Sequence, residues 1–219
     1  CKQQKPKAVY CIPTLQNPTA TTMSQQRRSL IADIIRRSET TLIEDDIYAS
    51  LLGDVPLSIS ARLPERAIYL TSLSKSIASG LRVGFMHLPS ALCAEIPAAF
   101  MASTITANPM TSLLAAKLIE SGRAINIVRR LRSQLETRCR LAQHILGERI
   151  AHQLDLTPHL WLELPGRWRP AQFVAQARQK GVYLAAPDYF TVESGRATSA
   201  VRISLTAAAD INQLQRALR

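Results

Sequence analysis

The chain has 219 residues, 47% of them hydrophobic, 20% charged and 5% aromatic, enough for one sizeable core or two modest ones and not the composition of a disordered chain. No apolar run approaches the length of a membrane span, and the opening Cys1-Lys2-Gln3-Gln4-Lys5-Pro6-Lys7 has neither a methionine nor signal-peptide character, as expected of a piece of something longer. The net charge of +11 is uneven, +3 over residues 1–110 and +8 over 111–219, but without interleaved aromatics or a recognition helix the excess arginines read as a solvated basic helix face rather than a nucleic-acid surface.

In chain order, Ala8-Val9-Tyr10-Cys11-Ile12-Pro13 predicts a short buried strand closed by proline. Ser24 is a helix N-cap candidate, followed by Leu30, Ile31, Ile34 and Ile35 at helical spacing, with Arg27, Arg28, Arg36 and Arg37 off that face. Thr40–Ile43 predicts a second strand ending in Glu44-Asp45-Asp46, and Ala67–Leu70 a third ending in Thr71-Ser72-Leu73-Ser74-Lys75. Leu81–Leu88 predicts a fourth. Strands alternating with a helix and irregular connections imply an α/β fold with a mainly parallel sheet. Residues 90–150 are helical in pattern, broken at Pro97, Asn108-Pro109 and Gly122. The long stretch after Gly122 reads as a helix linking two lobes. Beyond it, strands at Leu160–Leu164, Val182–Leu184 and Val201–Leu205, a helix over Ala171–Gln179 and a last helix to Arg219 predict a smaller α+β lobe.

The eight glycines never cluster as a Walker loop or a GxGxxG turn requires. The four cysteines lack metal-finger spacing and read as reduced thiols. Chemistry concentrates instead in three polar clusters at the carboxyl ends of three predicted strands: Gln16-Asn17-Pro18-Thr19, Glu44-Asp45-Asp46-Ile47-Tyr48 and Ser72-Leu73-Ser74-Lys75. In open α/β sheets that edge is where ligands bind. Each cluster also has a plain structural reading. Asn17-Pro18 is a common turn initiator, the acids could cap a helix or hold a divalent ion, and the serines could be turn hydroxyls.

Three stretches together resemble the fold-type I family of pyridoxal-phosphate enzymes, the aspartate-aminotransferase superfamily: Ile12-Pro13-Thr14-Leu15-Gln16-Asn17-Pro18-Thr19, Ile43-Glu44-Asp45-Asp46-Ile47-Tyr48, and Ser72-Leu73-Ser74-Lys75 through Gly80-Leu81-Arg82-Val83-Gly84, with Val201-Arg202-Ile203-Ser204 matching near the end. Within it the chain looks most like the aminoadipate-aminotransferase branch, which includes the aminotransferase-like domains of MocR-type regulators of the GntR family. The resemblance implies pyridoxal 5′-phosphate as cofactor, joined covalently through Lys75. Asp45, three residues before Tyr48, pairs with the pyridine nitrogen, and Asn17 and Tyr48 bond the phenolic oxygen. Ser72, Ser74 and Arg82 hold the phosphate, and Arg202 clamps a substrate carboxylate. It further implies part of a large cofactor-binding domain over residues 1–121, a linking helix over 122–150 and a small C-terminal domain over 151–219. A homodimer is implied, with an amino acid or other amino compound as substrate or effector. The protein would be cytoplasmic, with no membrane association and no metal, and a regulator would reach DNA through an upstream domain.

Two departures stand out. Ala20 replaces the glycine that follows Asn-Pro-Thr in the family, and Ser79 replaces the proline before the glycine of the last signature. Other readings fit less. Ser72 and Lys75 satisfy Ser-x-x-Lys, but the companion motifs of penicillin-binding enzymes are missing. A metal-dependent phosphotransferase on the acidic triplet finds no histidine in ligand spacing. The main contest is between a working aminotransferase and the effector-sensing half of a transcription regulator; the basic balance, and the resemblance of Gln16-Asn17-Pro18-Thr19 through Met23 and Arg27-Arg28 to the regulator subgroup, favour the regulator.

Overall fold

The computed structural model describes residues 5–150, 156–191 and 199–219. The chain divides into two compact units, one built on Cys1–Thr14 with Thr22–Leu131, the other on Leu15–Thr21 with Arg132–Arg219.

The first unit holds a four-stranded sheet in the order β1 (Ala8–Cys11), β2 (Thr41–Asp45), β3 (Ala67–Ser72), β4 (Gly84–His87). The first three strands are parallel and β4 is antiparallel to β3, so the expected mainly parallel sheet is present with one reversed edge. Register pairs Tyr10 with Ile43, Asp45 with Leu70 and Ser72 with Gly84. Gly84 lets the strands approach closely: a Cβ there would meet the Thr71 carbonyl oxygen at 3.3 Å. One face of the sheet is packed through Leu42 and Ala67, with Val9 and Cys11, against Ala32 and Ile35 of α1 (Gln25–Arg36) and against Ile59 and Leu63.

Ser24 caps α1 as expected, its Oγ accepting from the Arg27 amide. The buried side of that helix differs from the sequence pattern. Arg28, Ala32 and Ile35 are inside, whereas Leu30 and Ile34 are more than half exposed. Arg28 is fully buried because three backbone carbonyls from outside the helix receive it. Its Nε donates to Met23 O at 3.0 Å and its Nη2 to Pro13 O at 3.0 Å and to Thr14 Oγ1 at 2.9 Å, while Nη1 reaches Pro56 O at 3.4 Å. The guanidinium thereby ties together the two ends, Pro13 and Met23, of the segment that carries Asn17.

The helical region resolves into α2 (Glu95–Thr104), α3 (Pro109–Glu120) and α4 (Arg123–Leu146). Asn108 Oδ1 accepts from the Met110 and Thr111 amides, with Pro109 opening α3 where no amide donor is needed. Gly122, at φ +70°, supplies the left-handed residue between α3 and α4.

In the second unit β5 (His159–Glu163) pairs antiparallel with β6 (Ala200–Ser204), and α5 (Pro170–Gln179) and α6 (Ile211–Leu218) complete the lobe. Its core joins Cys139 and Ala142 of α4 to Leu160, Leu162, Val201, Leu205, Leu214 and Leu218. Arg138 belongs to this packing rather than to a solvated face, its Nη1 donating to Leu205 O and Ala208 O at 2.7 and 3.0 Å. The strand expected over Val182–Leu184 does not form. The segment touches the sheet through one bridge, Ala185 with Arg202.

Candidate functional site

The acidic triplet is sorted by the two-residue period of β2. Successive side chains of a strand point to opposite faces, so Glu44 and Asp46 share the face packed by α1 and Asp45 has the other. Glu44 is fully buried. Its oxygens accept from the Ile59 amide at 3.0 Å and the Ser60 amide at 2.6 Å, and Arg28 Nη1 lies 3.9 Å away. Asp46 is also buried. Tyr69 donates to its Oδ2 at 3.2 Å, and its Oδ1 has no hydrogen-bond partner among the described residues. Burial pushes the Asp46 carboxyl above its ordinary value, the Tyr69 and Thr14 hydroxyls opposing the shift. Among the described residues no three His, Cys, Asp or Glu side chains are grouped to hold a metal ion; Glu44 is a structural carboxylate.

Asp45 is the half-buried member of the triplet, on the face away from α1. Its Oδ1 accepts from the Ile47 amide at 3.3 Å and its Oδ2 from the Tyr10 phenol. Tyr48 follows in the turn, buried, at the start of a short 3-10 helix over Ala49–Leu51.

The neighbouring parallel strand, β3, ends at the same edge. Ser72 lies two residues past Leu70, the register partner of Asp45, so its side chain points to the same face. Its Oγ donates to Val83 O at 3.1 Å and accepts from the Ser74 amide at 3.0 Å, and Leu73 N donates to Val83 O at 3.1 Å. These bonds close the turn that presents Lys75, whose side chain is exposed. Ser72 thus spends its hydroxyl proton on the turn. Arg82, exposed, has left-handed backbone (φ +52°, ψ +38°) just after the 3-10 turn Ser79–Leu81, which Ser79 opens without the proline of the family pattern.

Asn17 and Arg202 belong to the second unit. Gln16 organises the Asn17 turn, its Nε2 donating to Asn17 O at 2.7 Å and its Oε1 accepting from Thr19 N and Oγ1 at 3.1 and 2.6 Å. The Asn17–Pro18 bond is cis, and His159 Nε2 meets Gln16 O at 3.2 Å. Ala20 adopts φ +61°, the conformation that suits the glycine it replaces. Arg202, on β6, places its guanidinium 5.8 Å from the Phe190 ring centroid, and no acid pairs with it among the described residues. Asn17 Oδ1 and Arg202 Nε are buried without hydrogen-bond partners among the described residues. A cavity of about 540 Å³ in the second unit, lined by Leu162, Trp168, Phe173, Leu184 and Leu214 among others, contains none of the predicted site residues.

In the first unit, Asp45, Ser74, Lys75 and Arg82 are side chains of the chemistry that a phosphorylated, nitrogen-heteroaromatic aldehyde requires. A carboxylate stands ready for a ring nitrogen, a hydroxyl-and-guanidinium set for a phosphate and an amine for a carbonyl. Sequence reasoning missed Tyr10, read only as part of a strand, and Arg28. Tyr10 was accessible in principle, since strand alternation puts it on the same face as Ile43 and therefore Asp45 once β1 and β2 are aligned. Arg28 had no such signal.

The order of strands, the crossover helix and the position of these motifs define an aminotransferase-type α/β fold. The chain belongs to the aminotransferase class I and II family, whose model matches residues 1–219; pyridoxal phosphate is the cofactor of that family. Among its relatives, an HTH-type transcriptional regulator of Bacillus subtilis, YdeF, is 31% identical over 219 residues, all of this chain and 47% of that protein. The mitochondrial kynurenine/alpha-aminoadipate aminotransferase of Mus musculus is 27% identical over 94% of this chain and 51% of its own length. The alpha-aminoadipate aminotransferase LysN of Thermus thermophilus superposes with a TM-score of 0.89 at 22% identity, over 100% of this chain and 58% of LysN. The chain spans about half the length of the curated relatives it matches, so it holds part of the fold-type I architecture. No helix among the described residues is long and apolar enough to cross a membrane.

Proposed function

We propose that the chain is the pyridoxal-phosphate-binding, effector-sensing half of a GntR/MocR-type transcription regulator whose DNA-binding domain lies upstream. The observation that carries the cofactor reading is the division of labour in the acidic triplet. Glu44 and Asp46 serve the core, while Asp45 faces the other way at the sheet edge shared with the Ser72–Lys75 turn.

When bound, pyridoxal phosphate supplies a protonated ring that accepts the electron pair released at the α-carbon of an amino compound. Asp45 keeps the proton on the pyridine nitrogen. Lys75 would hold the cofactor at its aldehyde through the side-chain amine and would hold or move the α-proton of the amino compound. Tyr48 and Asn17 donate to the phenolic oxygen. Ser74 and Arg82 bind the phosphate, with Ser72 shaping their turn. Arg202 receives the carboxylate of an amino-acid ligand, in keeping with its unpaired Nε. In this reading residues 1–121 are part of the large cofactor-binding domain, 122–150 the linking helix and 151–219 the small domain. The whole protein is a cytoplasmic homodimer.

The regulator role is supported by YdeF, matched over the full chain. A second reading, a working aminotransferase of the aminoadipate type, is favoured by the likeness to the Mus musculus enzyme over 94% of the chain. Full-length protein mixed with pyridoxal phosphate is expected to gain a visible absorption band that Lys75→Ala abolishes; an unchanged spectrum overturns the lysine's role. Assayed with a panel of amino donors, a sensor gives ligand-dependent DNA binding without appreciable turnover. Robust transamination makes the second reading the correct one.

A further inference from the structure

The hydroxyl of Tyr10 donates to Asp45 Oδ2 across the β1–β2 pair. Because Tyr10 is aligned with Ile43, Asp45 is its diagonal neighbour on the same face. The Ile47 amide, 3.3 Å from Oδ1, is the second donor. One donor on each oxygen fixes the plane of the carboxylate and its rotation about the side-chain bond. Of the two, the Tyr10 donor comes from a different strand and is a side chain that no local turn requires. Tyr10 is 57% exposed, so core packing does not explain a phenol there.

We propose that Tyr10 is a positioning residue for Asp45: its phenol fixes the orientation of the carboxylate and aims it at the ring nitrogen of the bound cofactor. This rests on the reading of Asp45 given above. Partial burial, then the hydrogen bond to Asp45 and that acid's charge, push the Tyr10 phenol well above its ordinary value, so it stays a donor throughout the neutral range. A carboxylate oxygen accepts a shorter and stronger hydrogen bond from such a donor than a neutral oxygen does. Tyr48 and Cys11 are the other titratable neighbours of the phenol. Burial pushes the Cys11 thiol up.

The test is a double-mutant cycle on the full-length protein, read as affinity for pyridoxal 5′-phosphate by absorbance titration. Tyr10→Phe keeps the ring and removes one oxygen. It is expected to retain the visible band, since Lys75 is intact, and to weaken binding roughly tenfold, as loss of a hydrogen bond to a charged group does. In an Asp45→Asn background the same change is expected to have less than about a threefold effect, because the carboxylate it serves is gone. Equal weakening in both backgrounds overturns the proposal and makes Tyr10 a merely structural residue. So does Tyr10→Phe binding like wild type. The denaturation midpoint of Tyr10→Phe, expected to be unchanged, checks folding independently. Failure of the cofactor reading itself has a separate signature: no visible band in the wild type, or a band that survives Lys75→Ala.

Discussion

At the scale of single residues, Ala20 shows how a family departure is accommodated. The turn after Asn17-Pro18-Thr19 keeps the left-handed backbone that glycine would take freely, and the alanine bears the strain. Ala20→Gly is therefore expected to raise stability by about 0.5–1 kcal/mol, the steric relief exceeding the entropy gained by the unfolded chain. Chemical denaturation reads this directly, and a loss of stability would show that the turn does not need glycine's freedom. Asp46 is a second residue-scale case. Burial raises its carboxyl in the folded state, so the folded protein binds that proton more tightly than the unfolded chain does. The contribution is complete below its ordinary value of 3.8 and is lost as pH rises through the higher folded-state value. Asp46→Asn removes the titration and keeps an acceptor for Tyr69. Its stability relative to wild type is expected to improve from pH 4 to pH 7; parallel curves would refute the shift. The sequence contained the triplet but not this division of roles, which appears only when β2 is seated against α1.

At the scale of elements, α1 is the instructive failure of pattern reading. A hydrophobic stripe through Leu30, Ile31, Ile34 and Ile35 predicts the right helix and cap but not the right inward side. Arg28 is inside because Pro13, Met23 and Pro56 bring it carbonyl oxygens, and nothing local to the helix announces those partners. Arg28→Met keeps much of the volume but leaves the Glu44 charge without its cation and the carbonyls without donors. The expected cost is about 3–5 kcal/mol, measured as a shift in denaturation midpoint; a loss under about 1 kcal/mol would mean the guanidinium is dispensable. The Val182–Leu184 run failed differently. Three apolar residues carry strand propensity, but only Ala185 meets β6, and pairing with a neighbour, rather than propensity, makes a strand.

At the scale of the whole molecule, what was legible was order: strands ending in polar clusters, a helical region and a second lobe. Parallel strands must end at a common edge, so Asp45 and the Ser72–Lys75 turn could be assigned to that edge before any coordinates. What was illegible were the distant partners, Tyr10 for Asp45 and Arg28 for Glu44, because they depend on alignment between segments 35 and 16 positions apart. The two units have separate cores, yet both contain residues assigned to cofactor or ligand. The alternation along β2 carries one more implication, for how such a sequence can drift. Adding or deleting one residue early in that strand would exchange the inward and outward carboxylates in a single step, sending an unsupported charge into the core. Point substitution can tune this segment, but a change of frame within it is a fatal edit, so variation in length is expected in the loops on either side.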